Sequence, residues 1–434
     1  MEQRPSERTA LAPLVLIVAL FFLWGVANNL NDVLIPHLKK AFFLTDLQSG
    51  LVQMAFYLGY FFLALPASAV MRRYGYKAAV IVGLLLFGLG ALLFWPAAEA
   101  RQYSWFLAAL FVLASGLAFL ETSANPLITV LGDPAKAEQR LNFAQAFNPL
   151  GSITAVVVGR QFILSGVEPT KAEFAAMTPA QLDAFQTAEA HSTQVPYLII
   201  AAVVLAWALL VALTKFPHQA GRPDPGEDEA GLPAVQAIPA LLARPRFVFG
   251  VAAQFFYVGA QVGVWSYMIR YAQHEVPGLG EKAAAAYLSW SLVGFMAGRF
   301  IGTAAMSRLP PSLLMGLFAT INVGLTLVAA LVGGKVGLYA LASTSFFMSI
   351  MFPTIFAGSL KGLGPLTKTG SSFLVMSIIG GAVLTTLMGA VSDATAIDLA
   401  ILVPCACFAV VGLFGFTAGR ATREDLKTAP AGAH

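Results

Sequence analysis

Hydrophobic segments long enough to cross a lipid bilayer recur along the whole chain, and they limit the possible folds more than any motif does. A helix of about 20 apolar residues spans the roughly 30 Å hydrocarbon core. Hydrophobic residues make up 58% of the 434 residues and charged residues 11%, against about 45–50% and 25% in a soluble domain. We therefore predict an all-α integral membrane protein with twelve transmembrane helices. The predicted spans are residues 11–36, 46–70, 78–98, 104–131, 141–166, 194–215, 246–272, 283–306, 313–332, 337–360, 370–391 and 399–419.

A polar segment divides these spans into two sets of six. The stretch from Phe216 to Arg244 is rich in proline, glycine and acidic residues, which is typical of a linker. We predict a six-helix bundle over 1–215, a cytoplasmic linker over 216–245, and a second six-helix bundle with a short cytoplasmic tail over 246–434. Most lysines and arginines lie between spans on the side of the linker, so the positive-inside rule predicts that both termini are cytoplasmic.

Several functions are excluded by what the chain lacks. The net charge of +4 comes from residues spread between hydrophobic segments, so we predict no nucleic-acid partner. The only two cysteines, Cys405 and Cys407, lie inside the last apolar segment, where cysteine behaves as a small hydrophobe. The five histidines are scattered over loops and ends. An enzyme needs a nucleophile and base, or a metal set, in one place, so we predict neither an enzyme nor a metal site.

Two carboxyl groups lie inside predicted spans, where each costs roughly 2.5–3.5 kcal/mol. Asp32 follows Asn28 by four residues on span 1, and Asn125 follows Glu121 by four residues on span 4. This spacing places acid and amide on one helix face. Each acid could simply lie near an interface or be neutralised by neighbours. The alternative is that the two acids bind and release a proton during transport.

Span 5 carries a third polar stripe, with Asn142, Gln145 and Asn148 at intervals of three residues. Amides in membranes often form helix–helix hydrogen bonds. Three stripes with two acids in one half favour a water-filled cavity instead.

The second half contributes aromatic and amide side chains on span 7. Tyr257, Gln261, Trp265 and Tyr267 lie there. A sugar has an apolar ring face and many hydroxyls, so one stacking ring with several amides suits it, although packing or interfacial anchoring accounts equally for any single aromatic.

Three arginines lie inside predicted spans within a few turns of a span end, so we predict that they snorkel to the interface. They are Arg160, Arg270 and Arg299. This placement argues against an anionic substrate.

Several segments together closely resemble the L-fucose:proton symporter family of the major facilitator superfamily, over nearly the whole chain. These segments are Phe21–Asp32 (FFLWGVANNLND), Leu120–Pro126 (LETSANP), Arg140–Asn148 (RLNFAQAFN), Tyr257–Gln261 (YVGAQ), Trp265–Tyr271 (WSYMIRY) and Gly370–Phe373 (GSSF).

The resemblance implies the twelve-helix major facilitator fold, alternating access and proton coupling in a bacterial-type inner membrane. Asp32 matches the proton carrier, and Glu121 matches the cavity acid that links proton to sugar. The implied partners are a sugar, a proton and the lipid bilayer, with a monomeric protein and no cofactor besides the coupling proton. The predicted sugar-binding residues are Asn28, Asn29, Glu121, Asn125, Gln145, Asn148, Gln261 and Trp265.

Two positions depart from the family pattern. Pro149 stands where the fucose carriers have a small polar residue, and Arg160 replaces an uncharged polar one. Pro149 is expected to alter the kink in span 5 and with it the sugar preference. The paired Asn28 and Asn29 with Glu121 favour L-fucose. Glucose, galactose or another neutral sugar, carried with or without a proton, is the alternative, and an exporter of drugs or metabolites is a more distant one.

Overall fold

The computed structural model describes residues 7–42, 44, 46–131, 133–158, 176–216, 234–279 and 281–428, and every regular element within them is helical. Short 3₁₀ turns also occur at Pro134–Lys136, Gly364–Leu366 and Ser377–Ile379. The α-helices are α1 (Glu7–Phe42), α2 (Asp46–Leu92), α3 (Phe94–Ala100), α4 (Tyr103–Val130), α5 (Ala137–Gln145), α6 (Asn148–Val158), α7 (Pro179–His191), α8 (Gln194–Leu213), α9 (Ala234–Leu242), α10 (Pro245–Glu275), α11 (Glu281–Ala305), α12 (Pro311–Leu331), α13 (Gly334–Met348), α14 (Met351–Leu360), α15 (Thr367–Met376), α16 (Gly380–Ala394), α17 (Ile397–Ala400) and α18 (Leu402–Thr428).

These helices confirm the all-α membrane class. Nine helical stretches among the described residues are long and apolar enough to cross a membrane. One of them, Met54–Ala100, covers most of the second predicted span and all of the third, and α1 has a shorter apolar part at Pro13–Val26. Helix α7 precedes span 6 and begins with a capping box formed by Thr178 and Gln181.

Contacts divide the chain into two compact units. Unit 1 contains Met1–Leu127 and Phe147–Asp228, and unit 2 contains Ile128–Ala146 and Glu229–His434. Helix α5 therefore belongs to unit 2, although it lies within the first six predicted spans. The short apolar helix α9, in unit 2, falls inside the segment predicted as a linker.

Helix α2 is interrupted where the sequence predicts a loop between spans 2 and 3. Gly75 has a positive φ of 83°, a conformation that a residue without a Cβ adopts at little cost. Beside this break, the Lys77 ammonium donates to the carbonyl oxygens of Ala212 (2.8 Å) and Thr214 (2.9 Å), where α8 ends. These bonds satisfy carbonyls that a helix end leaves without partners.

Small residues let the helices of unit 1 approach closely. A Cβ at Gly25 of α1 would lie 2.0 Å from the Asn148 carbonyl oxygen, and one at Gly151 of α6 would lie 2.1 Å from the Phe22 carbonyl oxygen. Such contacts are typical of packing between membrane helices. They bring the first residue of α6 against α1, one turn before Asn28.

Helix α10 occupies the centre of unit 2, where it packs against α11, α14, α16 and α18. Its buried face includes Tyr257, Val264, Met268 and Tyr271. Helix α5 packs against α11 and α14 in the same unit.

Spans 5 and 10 each contain a helix break close to a proline. Helix α5 ends at Gln145 and α6 begins at Asn148, just before Pro149. Helix α13 ends at Met348 and α14 begins at Met351, two residues before Pro353. Span 10 is present as the apolar stretch Gly334–Leu360, with a short break between α13 and α14 where Pro353 cannot donate the next hydrogen bond of the ladder.

Candidate functional site

The carboxyl group of Glu121 is enclosed within unit 1. The residue lies on α4 and is only 3% exposed. Asn125, one turn further along, is fully buried, and Thr122 and Ser123 are buried beside them. The Ser123 hydroxyl donates to the Phe119 carbonyl, so α4 itself satisfies part of this stripe.

Two aromatic side chains connect Glu121 to neighbouring helices. The Tyr60 hydroxyl of α2 hydrogen-bonds the Glu121 carboxyl group. The same hydroxyl accepts a hydrogen bond from Trp24 Nε1 of α1 at 3.1 Å. Trp24 and Tyr60 are 6% and 2% exposed. The indole, phenol and carboxyl groups thus form a buried chain across three helices.

Sequence reasoning did not identify Tyr60 as a site residue, because it lies in an otherwise apolar stretch of α2 with no polar stripe around it. Trp24 lies within the Phe21–Asp32 segment, four residues before Asn28, and nothing in the sequence links it to an acid. A buried phenol with its hydroxyl at a carboxyl group becomes visible only when the helices are packed.

The side chains of Asn28, Asn29 and Asp32 lie outside the described part of the structure, and their backbone belongs to α1. Arg160 lies outside the described residues altogether. Asn148, at the start of α6, is half-buried, and its carbonyl accepts a hydrogen bond from Ser152 Oγ at 3.2 Å.

Asn142 of span 5 joins α5 to α14. Its Nδ2 donates to Thr354 Oγ1 at 3.1 Å and to the Glu138 carbonyl at 2.8 Å. The residue is fully buried. Helix–helix bonding, which the sequence left open for this amide, therefore accounts for the Nδ2 group of Asn142, whereas its Oδ1 has no partner among the described residues.

Gln145 contacts an arginine that is buried rather than snorkelling. Arg299 of α11 is 4% exposed, and its Nη1 donates to the Gln145 carbonyl at 2.9 Å and lies 3.5 Å from Gln145 Oε1. Its Nε donates to the Ser349 carbonyl at 2.8 Å. The prediction that Arg299 snorkels to an interface is wrong, because protein acceptors surround the guanidinium. Arg270 is exposed and lies over the Tyr267 ring.

Trp265 of α10 is held by a short polar chain within unit 2. Its Nε1 donates to Ser345 Oγ of α13 at 3.0 Å, and Ser345 shares a very short hydrogen bond with Ser291 of α11. The Phe295 ring meets the Trp265 ring edge to face, with centroids 5.2 Å apart. The orientation of the indole is therefore fixed on two sides.

Two glutamines of α10 lie two turns apart on the same face. Gln261 is half-buried. Gln254 is fully buried, and neither atom of its amide has a hydrogen-bond partner among the described residues. In the sequence, the seven-residue separation of Gln254 from Gln261 is the only signal that points to Gln254.

A cleft of about 760 Å³ lies beside this chain on unit 2. Its walls come from α11 and α13 and include Tyr287, Trp290, Tyr339 and Phe346, together with Ser291. Ser291 thus belongs both to the cleft wall and to the chain that holds Trp265.

The predicted residues fall into two groups. Glu121, Asn125 and Asn148 lie in unit 1, whereas Gln145, Gln261 and Trp265 lie in unit 2. Unit 1 supplies a buried carboxyl group with its hydrogen-bond chain, and unit 2 supplies aromatic surface and amides. Among the described residues, no three histidine, cysteine or acidic side chains are arranged to hold a metal ion.

Comparisons with known proteins place the chain among transporters. The model of the Major Facilitator Superfamily matches residues 16–381. The chain is 48% identical to the L-fucose-proton symporter of Escherichia coli over 412 residues, 94% of this chain and 93% of the other. It is 39% identical to a glucose/galactose transporter of Brucella abortus over 400 residues, 92% of each chain. The crystal structure of the E. coli fucose:proton symporter superposes with a TM-score of 0.87 at 47% identity, over 94% of this chain and 99% of that one.

Proposed function

Because the chain belongs to the L-fucose-proton symporter family of the major facilitator superfamily, whose members are membrane transporters rather than enzymes, we propose that it imports L-fucose together with a proton by alternating access. The predicted family and fold are confirmed by the comparisons. The sugar and the coupling ion come from the relative's name and are proposed for this chain.

One observation in the structure carries this proposal, the burial of Glu121 with the Tyr60 hydroxyl on its carboxyl group. A carboxyl group inside a membrane protein is expensive, and it marks a proton or substrate pathway by default. Trp24 and Tyr60 orient this group, and no cation among the described residues forms an ion pair with it. Such a carboxyl group can change its protonation during a transport cycle.

We assign the remaining roles as follows. Asp32 carries the proton, and Glu121 links protonation to the sugar. The sugar-binding residues are Asn28, Asn29, Glu121, Asn125, Gln145, Asn148, Gln261 and Trp265. Trp265 suits a stacking role because its indole is fixed by Ser345 and Phe295, and a preorganised aromatic ring binds with less loss of entropy.

A second substrate is supported by the relative from Brucella abortus, a glucose/galactose transporter. Glucose, galactose or another neutral sugar is the alternative to L-fucose. Uniport is the alternative to proton symport, and an exporter of drugs or metabolites of the same fold is a further, more remote one.

We further propose that both termini face the cytoplasm of a bacterial-type inner membrane, that the protein works as a monomer, and that it uses neither nucleic acid nor any cofactor besides the proton. The six-plus-six division at 216–245 belongs to the same proposal. An excess of lysine and arginine on one side of the predicted spans supports the orientation.

The proposal is tested by the external pH of weakly buffered, de-energised cells that express the protein. L-fucose, D-galactose, D-glucose, D-arabinose and N-acetylglucosamine are added in turn. We expect alkalinisation after L-fucose, because a symported proton leaves the medium with each sugar. If the medium becomes alkaline only after another sugar is added, that sugar rather than L-fucose is the substrate.

Two controls make the result specific. Cells expressing Asp32→Asn should show no alkalinisation, and cells without the protein should show none for any sugar. Radiolabelled sugar uptake without a pH change would indicate uniport and contradict the coupling role of Asp32. Absence of both signals, with the protein present in the membrane, would contradict sugar transport by this chain for the sugars tested.

A further inference from the structure

Two carbonyl oxygens in unit 2 are deprived of their helical donors by prolines. In an α-helix the carbonyl of residue i accepts from the N–H of residue i+4, and proline has no N–H. Pro149 therefore cannot donate to the carbonyl of Gln145. Pro353 likewise cannot donate to the carbonyl of Ser349.

Helical hydrogen bonds are formed next to each gap. The Ala146 N–H donates to the Asn142 carbonyl, and the Thr354 N–H donates to the Ile350 carbonyl. Ser349 also keeps right-handed helical angles, with φ −57° and ψ −35°. Each gap is thus a local loss of one donor within a segment that continues in helical conformation.

Arg299 supplies both missing donors. Its Nη1 donates to the Gln145 carbonyl at 2.9 Å, and its Nε donates to the Ser349 carbonyl at 2.8 Å. The planar guanidinium holds these two nitrogens in a rigid geometry. One side chain on α11 therefore replaces the two backbone bonds that the prolines remove.

The surroundings of Arg299 support this assignment. No carboxylate among the described residues forms an ion pair with it, and its guanidinium lies 4.7 Å from the centre of the Phe295 ring. A buried cation needs compensating interactions, and each of the two carbonyls lacks the N–H that a non-proline residue four positions later would donate. The buried guanidinium therefore gains two acceptors, and each of the two carbonyls gains a donor.

We propose that Arg299 is a positioning residue for the sugar site: by donating to the carbonyls that Pro149 and Pro353 leave without helical donors, it holds the Gln145 amide in place at the break between α5 and α6. This inference rests on the proposed function for the role of Gln145 in sugar binding. Phe295, which packs against both Arg299 and Trp265, connects the same arginine to the proposed stacking ring.

The test combines Arg299→Met with restoration of each backbone donor. Pro149→Ala returns an N–H to the Gln145 carbonyl, and Pro353→Ala returns one to the Ser349 carbonyl. Arg270→Met, which removes an exposed arginine over Tyr267, is the matched control for loss of charge. Each variant is purified in detergent, its melting temperature is measured, and its affinity for L-fucose and D-galactose is measured by calorimetry.

We expect Arg299→Met to lower the melting temperature and to weaken sugar binding about tenfold, the effect of losing roughly one charge-assisted hydrogen bond at the site. Adding Pro149→Ala should recover sugar affinity, whereas adding Pro353→Ala should recover thermal stability but not affinity. Arg270→Met should change neither quantity. If Arg299→Met does not fold, Arg299→Lys replaces it in the same series, because a single ammonium cannot reproduce the two-nitrogen fork.

Other outcomes overturn the inference in distinguishable ways. Equal recovery of affinity by both alanines, or recovery by neither, contradicts a positioning role at Gln145. Independent effects of Arg299 and Pro149 on the melting temperature contradict the capping of the freed carbonyl. Failure of the unmodified protein to bind any tested sugar overturns the proposed function and the sugar-positioning role together, and the melting temperatures then still decide whether Arg299 caps the two carbonyls.

Discussion

Replacing Tyr60 by phenylalanine removes one hydroxyl from the buried chain of unit 1 and nothing else. The ring keeps its place in the core, where Tyr60 is 2% exposed. Trp24 Nε1 then loses the acceptor that lies 3.1 Å away, and the Glu121 carboxyl group loses the hydroxyl that donates to it.

The expected cost follows from these two losses. Leaving a buried donor such as the indole N–H without an acceptor costs about 1–3 kcal/mol, and hydrogen bonds between membrane helices contribute about 0.6–2 kcal/mol each. We expect Tyr60→Phe to lower the free energy of unfolding by about 2–3 kcal/mol. Trp24→Phe removes the indole N–H that Tyr60→Phe would leave without an acceptor. The loss in free energy of unfolding in the double variant should therefore be smaller than the sum of the losses in the two single variants.

The assay is unfolding of the purified protein by SDS, followed by circular dichroism. Tyr74→Phe is the matched control, because Tyr74 lies on the same helix and is 47% exposed, and surface substitutions usually change stability by less than about 0.5 kcal/mol. Two results would refute the reasoning. One is a Tyr60→Phe variant as stable as the Tyr74→Phe control, and the other is strict additivity of the Trp24 and Tyr60 substitutions.

Three further predictions concern the acids. Asp32→Asn should abolish uphill sugar accumulation in energised cells while sparing sugar exchange, since exchange needs no net proton movement; normal accumulation would contradict its coupling role. Glu121→Ala should weaken or abolish sugar binding by calorimetry, and an unchanged affinity would remove Glu121 from the site. Burial raises the pKa of Glu138, which precedes span 5, and the charges of Lys361 and Arg246 only partly offset this. Folding therefore binds this proton more tightly, so its stabilising effect is complete below the ordinary value of 4.5 and is lost as pH rises through the raised pKa. Glu138→Gln should flatten that decline in melting temperature, and an unchanged pH profile would show that Glu138 does not cause it.

Features that depend on local physical chemistry could be read from the sequence. The cost of exposing polar groups to lipid is so large that apolar length identifies membrane helices. The same cost draws attention to Glu121. The break at Gly75 follows from the conformational freedom of glycine, and the helix α7 follows from its capping residues.

Contacts between distant helices could not be predicted. Tyr60 gives no signal in its apolar stretch, and its hydroxyl gains a role only because α1, α2 and α4 pack together. Arg299 offers the clearest contrast. Its position near a span end suggested snorkelling, whereas packing surrounds it with the carbonyls of Gln145 and Ser349.

The sequence by itself determined the membrane class, the helical spans, the family and the chemical types available for a sugar and proton site, because each rests on the solvation cost or hydrogen-bonding capacity of individual residues. It even determined which carbonyls lack a helical donor, since each proline removes the bond to the residue four positions earlier. Only the tertiary structure decided which side chain replaces that donor and which hydroxyl meets the Glu121 carboxyl group. The physical reason is that these partners lie on different helices, and hydrogen bonds of about 3 Å depend on how the helices pack rather than on any local pattern.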